Sequence, residues 1–139
     1  MAVFNKFQDF SEQVLKGTHN FSAHVFKVVL TNAAPLATNT VLIDITQIAA
    51  TGGYVAGGYT LDTVVLSETA GTAKVTIADE VITATGGAVG PFSHAVVYNS
   101  TAVGGPLVGF YAYGSSITLA DTETLTIDFD AASGVLTLA

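Results

Sequence analysis

The sequence predicts a mainly β fold: an antiparallel β-sandwich or jelly-roll-like body in one domain, preceded by one short N-terminal α-helix. Apolar residues alternate with Thr or Asp between Ile117 and Phe129, a pattern typical of a half-buried antiparallel strand pair. Short β-rich segments recur through the second half, separated by Gly, Asp, Pro or Asn. With 139 residues, of which 50% are apolar, the chain is long enough to bury one core.

The helix is predicted within residues 1–17, and the β body within residues 18–139. The apolar residues at roughly helical spacing are Phe4, Phe7, Phe10, Val14 and Leu15. Gly17 is predicted to end the helix. A helix of about three turns is marginal alone, so we expect its aromatic stripe to lie against the sheet or against a neighbouring subunit.

The next elements differ in how clearly they are specified. His24 to Thr31 is nearly continuously apolar, which predicts a strand buried on both faces. Val41 to Thr46 predicts either a short strand or a turn of helix. Residues 50–60 contain two glycine pairs and predict a surface loop of flexible or unusual shape.

Eight strands are predicted in the second half of the chain. They are Thr63 to Glu68, Ala73 to Ala78, Val81 to Thr85, Phe92 to Asn99, Leu107 to Tyr113, Ile117 to Leu119, Thr124 to Asp130 and Val135 to Leu138.

Composition excludes several classes of function. Four basic and eleven acidic residues give a net charge of −7, which argues against nucleic-acid partners because such binding rests on Lys and Arg. No apolar run approaches the roughly 20 residues of a membrane-spanning helix, and the N-terminus lacks the pattern of a signal peptide. We therefore expect a soluble protein made in a cytoplasm. The chain has no Cys, so disulfides and thiolate sites are excluded.

The side chains that could support catalysis or metal binding form no recognisable motif. His19, His24 and His94 lack the spacing of a metal site, and Ser93 with His94 and Asp121 lacks a nucleophile elbow. The glycine runs lack the sequence of a phosphate-binding loop. We therefore predict that the protein is not an enzyme and has no catalytic, metal or cofactor-binding residues.

Two pairs of residues leave alternatives open. Asp128 and Asp130 share one side of a strand, where they could bind Ca²⁺ or act as a glycosidase pair, but solvent-facing residues are the favoured interpretation. Tyr111 and Tyr113 also share one face. They could form a sugar platform or a protein interface, and packing in the core or between subunits is favoured.

Four segments resemble a family of small virion structural proteins of tailed bacteriophages, of the capsid decoration or cement type. They are FNKFQDFSEQVLKGTHNF, FKVVLTNAAPLATNTVLIDITQIAATGGYVAGGYT, TATGGAVGPFSHAVVYN and YGSSITLADTETLTIDFDAASGVLTLA. The resemblance implies a protein on the outer surface of a virion capsid, with the major capsid protein as its partner. A tail or tail-tip protein with a receptor- or carbohydrate-binding role is the alternative.

The apolar surplus of the composition predicts self-association, and a homotrimer is expected because decoration sites commonly lie on three-fold axes. Attachment to the capsid is expected to rest on apolar and backbone contacts, since charges are sparse. The candidate interface residues are Phe4, Phe7, Val14, Gly52, Gly53, Tyr54, Gly57 and Gly58.

Overall fold

The computed structural model describes residues 2–139, and this part of the chain is mainly β, with antiparallel sheets and one short α-helix. The predicted fold class is confirmed. The helix and strands are β1 (Phe4–Lys6), α1 (Phe10–Leu15), β2 (Phe26–Thr31), β3 (Tyr59–Thr60), β4 (Val65–Thr69), β5 (Thr72–Thr76), β6 (Glu80–Thr83), β7 (Val89–Asn99), β8 (Leu107–Leu119), β9 (Thr124–Ile127) and β10 (Leu136–Leu138). A 3₁₀ turn spans Leu42–Asp44, so the segment left open by the sequence contains a helical turn.

The strands form a five-stranded sheet in the order β1-β8-β7-β2-β3, a three-stranded sheet β10-β5-β4, and a two-stranded sheet β6-β9. Strand β2 lies beside β7, with Val28 opposite Val97. The side chains of Val28 and Val29 are both fully buried, although neighbouring residues of a strand face opposite sides of the sheet. The prediction that this strand is buried on both faces is confirmed.

The larger core lies between one face of the five-stranded sheet and the two smaller sheets. It joins Val28 and Tyr111 of the large sheet with Val75 of β5, Ile82 of β6 and Ile127 of β9. A smaller core contains Val29, Val96 and Leu107 of the large sheet, with Phe7 and Ile45 packed on them. Because β2 contributes to both clusters, apolar side chains are buried on both of its faces.

The N-terminal segment differs from the prediction. The helix is limited to Phe10–Leu15, and Phe4–Lys6 form strand β1 against β8, with Phe4 opposite Tyr111. The Phe4 ring packs directly over Gly109. A Cβ at position 109 would lie 2.5 Å from that ring, so only glycine leaves room for it. The aromatic spacing fits a helix on one face, but the backbone of residues 4–6 gains more from pairing with an open strand edge.

The pairing predicted between Ile117 and Phe129 is wrong, although the alternation of burial is correct. Ile117 lies in β8, which continues through the predicted break at Gly114 and pairs with β7 and β1. Strand β9 pairs with β6 instead. Along the segment, Leu119, Ile127 and Phe129 are buried. The local pattern therefore indicated which side chains are buried, but not which strands are hydrogen-bonded.

Candidate functional site

The N-terminal aromatic stripe predicted as a contact surface is part of the fold. Phe7 is fully buried, and its ring lies 5.1 Å from that of Phe110. Phe4 is half-buried, with its ring 5.2 Å from that of Tyr111. Val14 is half-buried and packs against the larger core. Phe7 must therefore be removed from the predicted contact set, and Phe4 and Val14 offer only the part of their surface that the chain leaves open.

The glycine loop, residues 50–60, folds around one buried tyrosine. The Tyr54 side chain is 1% exposed; its hydroxyl donates to Gln47 Oε1 at 2.8 Å and accepts from the Leu30 N–H at 3.2 Å. Burial raises the pKa of Tyr54 to about 12. Gln47 Oε1 also accepts from the Gly57 N–H at 2.9 Å. Tyr54 is therefore a core anchor of the loop and must also be removed from the predicted contact set.

Two of the loop glycines are required by close backbone approach. Gly52 has a φ of +63°, and a Cβ there would lie 2.6 Å from the Ala88 carbonyl oxygen. Gly58 has a φ of +77°, and its Cβ would collide with the carbonyl oxygen of Val28. Gly53, in contrast, has open space around it. Of the predicted loop contacts, Gly53 is exposed, while Gly52, Gly57 and Gly58 are half-buried.

Three exposed apolar side chains lie on segments that meet where the β7–β8 turn contacts the 3₁₀ turn. Val103 is 100% exposed and Ile43 is 89% exposed. Their segments are joined because the Leu42 N–H donates to the Gly105 carbonyl oxygen at 2.9 Å. Val25 is 46% exposed, and its N–H donates to Thr101 Oγ1 of the same turn at 2.8 Å. We call Val25, Ile43 and Val103 the end patch.

The end patch was not predicted from the sequence. The available signal was an isolated apolar residue inside a turn of small and polar residues, as at Val103 within Ser-Thr-Ala-Val-Gly-Gly. Such a side chain has no neighbours of its own turn to pack on, so it stays exposed. Asp44 lies beside Ile43 in the chain, but its carboxylate accepts from the N–H groups of Thr40 and Val41 at 2.9 and 3.2 Å. Those hydrogen bonds lower its pKa.

The histidines lie in two separate environments. His19 is buried, and its Nδ1 accepts from Asn99 Nδ2 at 3.2 Å, while His24 Nδ1 lies 2.9 Å from the same amide nitrogen. Burial lowers the pKa of His19 to about 4. Ser93 Oγ lies 2.8 Å from His94 Nδ1, but the Asp121 carboxylate accepts from the Gly86 N–H of another turn. Ser93, His94 and Asp121 thus do not form a hydrogen-bonded triad.

The described residues 2–139 contain no group of three or more His, Cys, Asp or Glu arranged to hold a metal ion. Asp128 is exposed, whereas Asp130 accepts from the N–H groups of Ala132 and Ser133, both at 2.9 Å. These hydrogen bonds lower the pKa of Asp130 and tie it to its own turn. Within the same residues, no helix has the length and apolar character needed to cross a membrane.

A groove of about 560 Å³ runs between β8 and β9. Tyr111, Tyr113, Thr126 and Asp128 line it. Tyr111 is buried in the larger core, and Tyr113 is half-buried beside it. Burial raises the pKa of Tyr113 to about 12. The groove therefore combines one partly open aromatic ring with one exposed carboxylate.

A scan of protein-family models, a search of curated proteins and a search of solved structures each found no match to this chain.

Proposed function

We propose that this chain is a non-enzymatic virion structural protein that binds the outer surface of a tailed-phage capsid as a decoration protein and stabilises that shell. The end patch is the observation that supports this most directly. Its two most exposed apolar side chains, Ile43 and Val103, project from hydrogen-bonded turns. Apolar residues held in this way suit contact with another protein surface, and binding would remove them from water.

The rest of the molecule agrees with a structural role. The β body is built on two cores packed on opposite faces of one sheet, so the patch is carried by a well-packed support. The chain carries eleven acidic and four basic residues, which leaves the uncharged end patch as the better surface for strong contact. The resemblance of four sequence segments to capsid decoration proteins supplies the class of partner, the major capsid protein.

Substitutions in the end patch test this function on virus particles. Ile43→Asp and Val103→Asp place a charge where the shell contact is proposed. Because both side chains are almost fully exposed, these substitutions should change the stability of the folded chain very little. We expect the double variant to be depleted at least about tenfold from purified particles, since about 1.4 kcal/mol of lost binding suffices. Leu15→Asp, at a residue that is 86% exposed on α1, is the matched control.

Quantitative gel staining of the particles gives the readout. Parent protein and the Leu15→Asp variant should both approach the abundance of the major capsid protein. Parent protein present at only a few copies for each particle would contradict a decoration role. Full occupancy by the double variant would show that the end patch is not the contact surface.

A receptor- or carbohydrate-binding role at the tail is the second candidate, and the groove between β8 and β9 favours it. Tyr113 offers a ring for a sugar face, and Asp128 and Thr126 offer hydrogen-bonding groups at the same opening. Calorimetric titration with host-surface oligosaccharides tests this role. Binding that is lost in an Asp128→Ala variant would support it, and the absence of heat with the parent protein would count against it.

A further inference from the structure

The three-stranded sheet has an open edge on each side. Within residues 2–139, β4 and β10 each pair only with β5. All five residues of β4 are exposed, including Val65 at 44% and Leu66 at 46%. Natural proteins protect such edges with Lys, Pro or a bulge, because unpaired N–H and C=O groups recruit another strand. The sequence of β4, VLSET, contains neither Lys nor Pro, and its register against β5 is continuous.

The direction of the free backbone groups follows from the hydrogen bonds of β5. The Val75 carbonyl oxygen accepts from the Val135 N–H, so Val75 directs its backbone groups towards β10. Alternation along an antiparallel pair then directs those of Lys74 towards β4. Ser67 lies opposite Lys74, so its N–H and C=O face β5. Leu66 and Glu68, on either side of Ser67, therefore direct theirs to the open edge.

The opposite edge presents one matching residue. Leu136 lies opposite Val75 and Leu138 opposite Ala73, so both face β5. Thr137, between them, directs its N–H and C=O away from the sheet. Strand β10 thus exposes one donor and one acceptor on a single residue, whereas β4 exposes these groups on two residues that are two positions apart.

These two edges are complementary to each other. Both β4 and β10 are antiparallel to β5, so they run in the same direction. If a second copy is related to the first by rotation about an axis parallel to these strands, its strands run in the same direction as those of the first copy. Strand β10 of the second copy can then lie beside β4 of the first copy and parallel to it. In a parallel pair of strands, the N–H and C=O groups of one residue bond to two residues of the adjacent strand, and those two residues are separated by one position. The Thr137 N–H would donate to the Leu66 carbonyl oxygen, and its own carbonyl would accept from the Glu68 N–H.

The side chains at these edges also suit contact between acidic chains. Glu68 is the one charged residue of β4 and β10, and its carboxylate already accepts from the Gly71 N–H at 2.6 Å. Val65 and Leu66 on one edge and Leu138, 66% exposed, on the other add apolar surface. Only one of the eleven acidic residues therefore lies on these two edge strands.

We infer that the β4 edge of one copy pairs with the β10 edge of the next, which closes a head-to-tail ring of identical chains. This assigns a surface to the self-association that the apolar composition predicts, and the choice of a trimer rests on the proposed capsid function. A contact between two different edges generates rings when the rotation closes. A trimer is the ring expected on a three-fold site of a capsid.

Two variants block one edge each. Leu66→Lys places a charge on the β4 edge, and Thr137→Pro removes the outward N–H of β10 while sparing the bonds to β5. Val81→Lys, at a residue 55% exposed on β6, is the matched control. Circular dichroism confirms folding of each variant. Light scattering on the full chain then gives the mass of each variant alone and of the two blocked variants mixed.

The head-to-tail arrangement predicts a distinctive set of masses. The parent and Val81→Lys should be trimers, and each blocked variant alone should be a monomer. Their mixture should form a one-to-one dimer through the two intact edges. A parent that is monomeric, or a Leu66→Lys variant that remains trimeric, overturns the inference. So does a parent dimer that Thr137→Pro leaves intact, because it would indicate β4–β4 pairing. None of these masses depends on capsid attachment, which the particle gel measures separately.

Discussion

Asn99 joins the N-terminal segment to the turn that carries the end patch. Its side chain is fully buried; Oδ1 accepts from the N–H groups of Thr101 and Ala102 at 3.0 and 3.2 Å, which fixes the amide orientation. Nδ2 is therefore the donor, and it faces the Thr18 carbonyl oxygen at 3.4 Å and the Nδ1 atoms of His19 and His24 at 3.2 and 2.9 Å. The proton of neutral His19 consequently lies on Nε2, which is buried without a hydrogen-bond partner. Charging this ring would add a buried cation to an aromatic setting.

The pH dependence of stability should therefore include a contribution from His19. Burial lowers its pKa from 6.5 to about 4 in the folded chain, so the unfolded chain binds the proton more readily. This contribution is complete above pH 6.5 and is lost as the pH falls towards 4. We expect urea denaturation to show about 1 to 3 kcal/mol more acid destabilisation in the parent than in His19→Phe. Equal pH slopes in both proteins would contradict the proposed protonation.

Phe129 is a second residue whose environment gives a definite expectation. Its side chain is 1% exposed and its ring lies 5.6 Å from that of Tyr111 in the larger core. Phe129→Ala should lower the free energy of unfolding by about 3 to 5 kcal/mol, because it removes buried area and leaves a cavity. Val81→Ala, at an exposed position, should cost less than about 1 kcal/mol. If urea denaturation gives the two variants similar midpoints, Phe129 does not have the assigned role.

Among the elements, the glycine loop shows how tertiary contacts determine a local shape. Its two ends approach Ala88 and Val28 so closely that Gly52 and Gly58 cannot carry a Cβ. Between them, Tyr54 enters the core and bonds to Gln47 and to the backbone of β2. The loop is therefore held at both ends and at its centre, while Thr51, Gly53, Val55 and Ala56 remain exposed.

Alanine substitutions at two glycines of this loop should have different effects. Gly58→Ala introduces a Cβ into the Val28 carbonyl, whereas Gly53→Ala meets open space at a similar positive φ. Both lose the left-handed freedom of glycine, which costs about 1 to 2 kcal/mol. We expect Gly58→Ala to cost at least about 2 kcal/mol more than Gly53→Ala in chemical denaturation. Equal losses would mean that the loop end can move away from β2.

The sequence was most informative about burial and least informative about pairing. Alternation between Ile117 and Phe129 predicted that Leu125, Ile127 and Phe129 lie in the core. Ile127 and Phe129 are buried there, whereas Leu125 is half-buried against it. The alternation could not reveal that β9 pairs with β6, since strand partners are chosen by contacts distant in the chain. The aromatic spacing near Phe4 was consistent with a helix for the same reason, because the competing edge of β8 lies about a hundred residues further on.

The candidate contacts illustrate the same limit. A tyrosine in a glycine-rich loop looks exposed in sequence, but Tyr54 is buried because Gln47 and Leu30 supply partners for its hydroxyl. The end patch depends on two turns that are distant in sequence and joined by a backbone hydrogen bond at Leu42. Its formation from Ile43 and Val103 could therefore be recognised only in the folded chain.

On the scale of the whole molecule, charge and exposed apolar surface give opposite expectations for attachment. Four basic residues leave little scope for ion pairing with a shell, and exposed ion pairs contribute only about 0 to 1 kcal/mol each. Raising the salt concentration from about 0.1 to 1 M shortens the Debye length from about 10 to 3 Å. We expect the protein to remain on sedimented particles after such a salt wash. Release by salt alone would show that attachment is electrostatic.

Electron cryomicroscopy of particles with and without this protein tests its proposed position most directly. A difference map should show density on the outer surface of the capsid at three-fold or quasi-three-fold positions, with the end patch turned towards the shell. The trimeric density should contain the β4 and β10 edges at its subunit contacts. Difference density confined to the tail, or inside the shell, would contradict the proposed function.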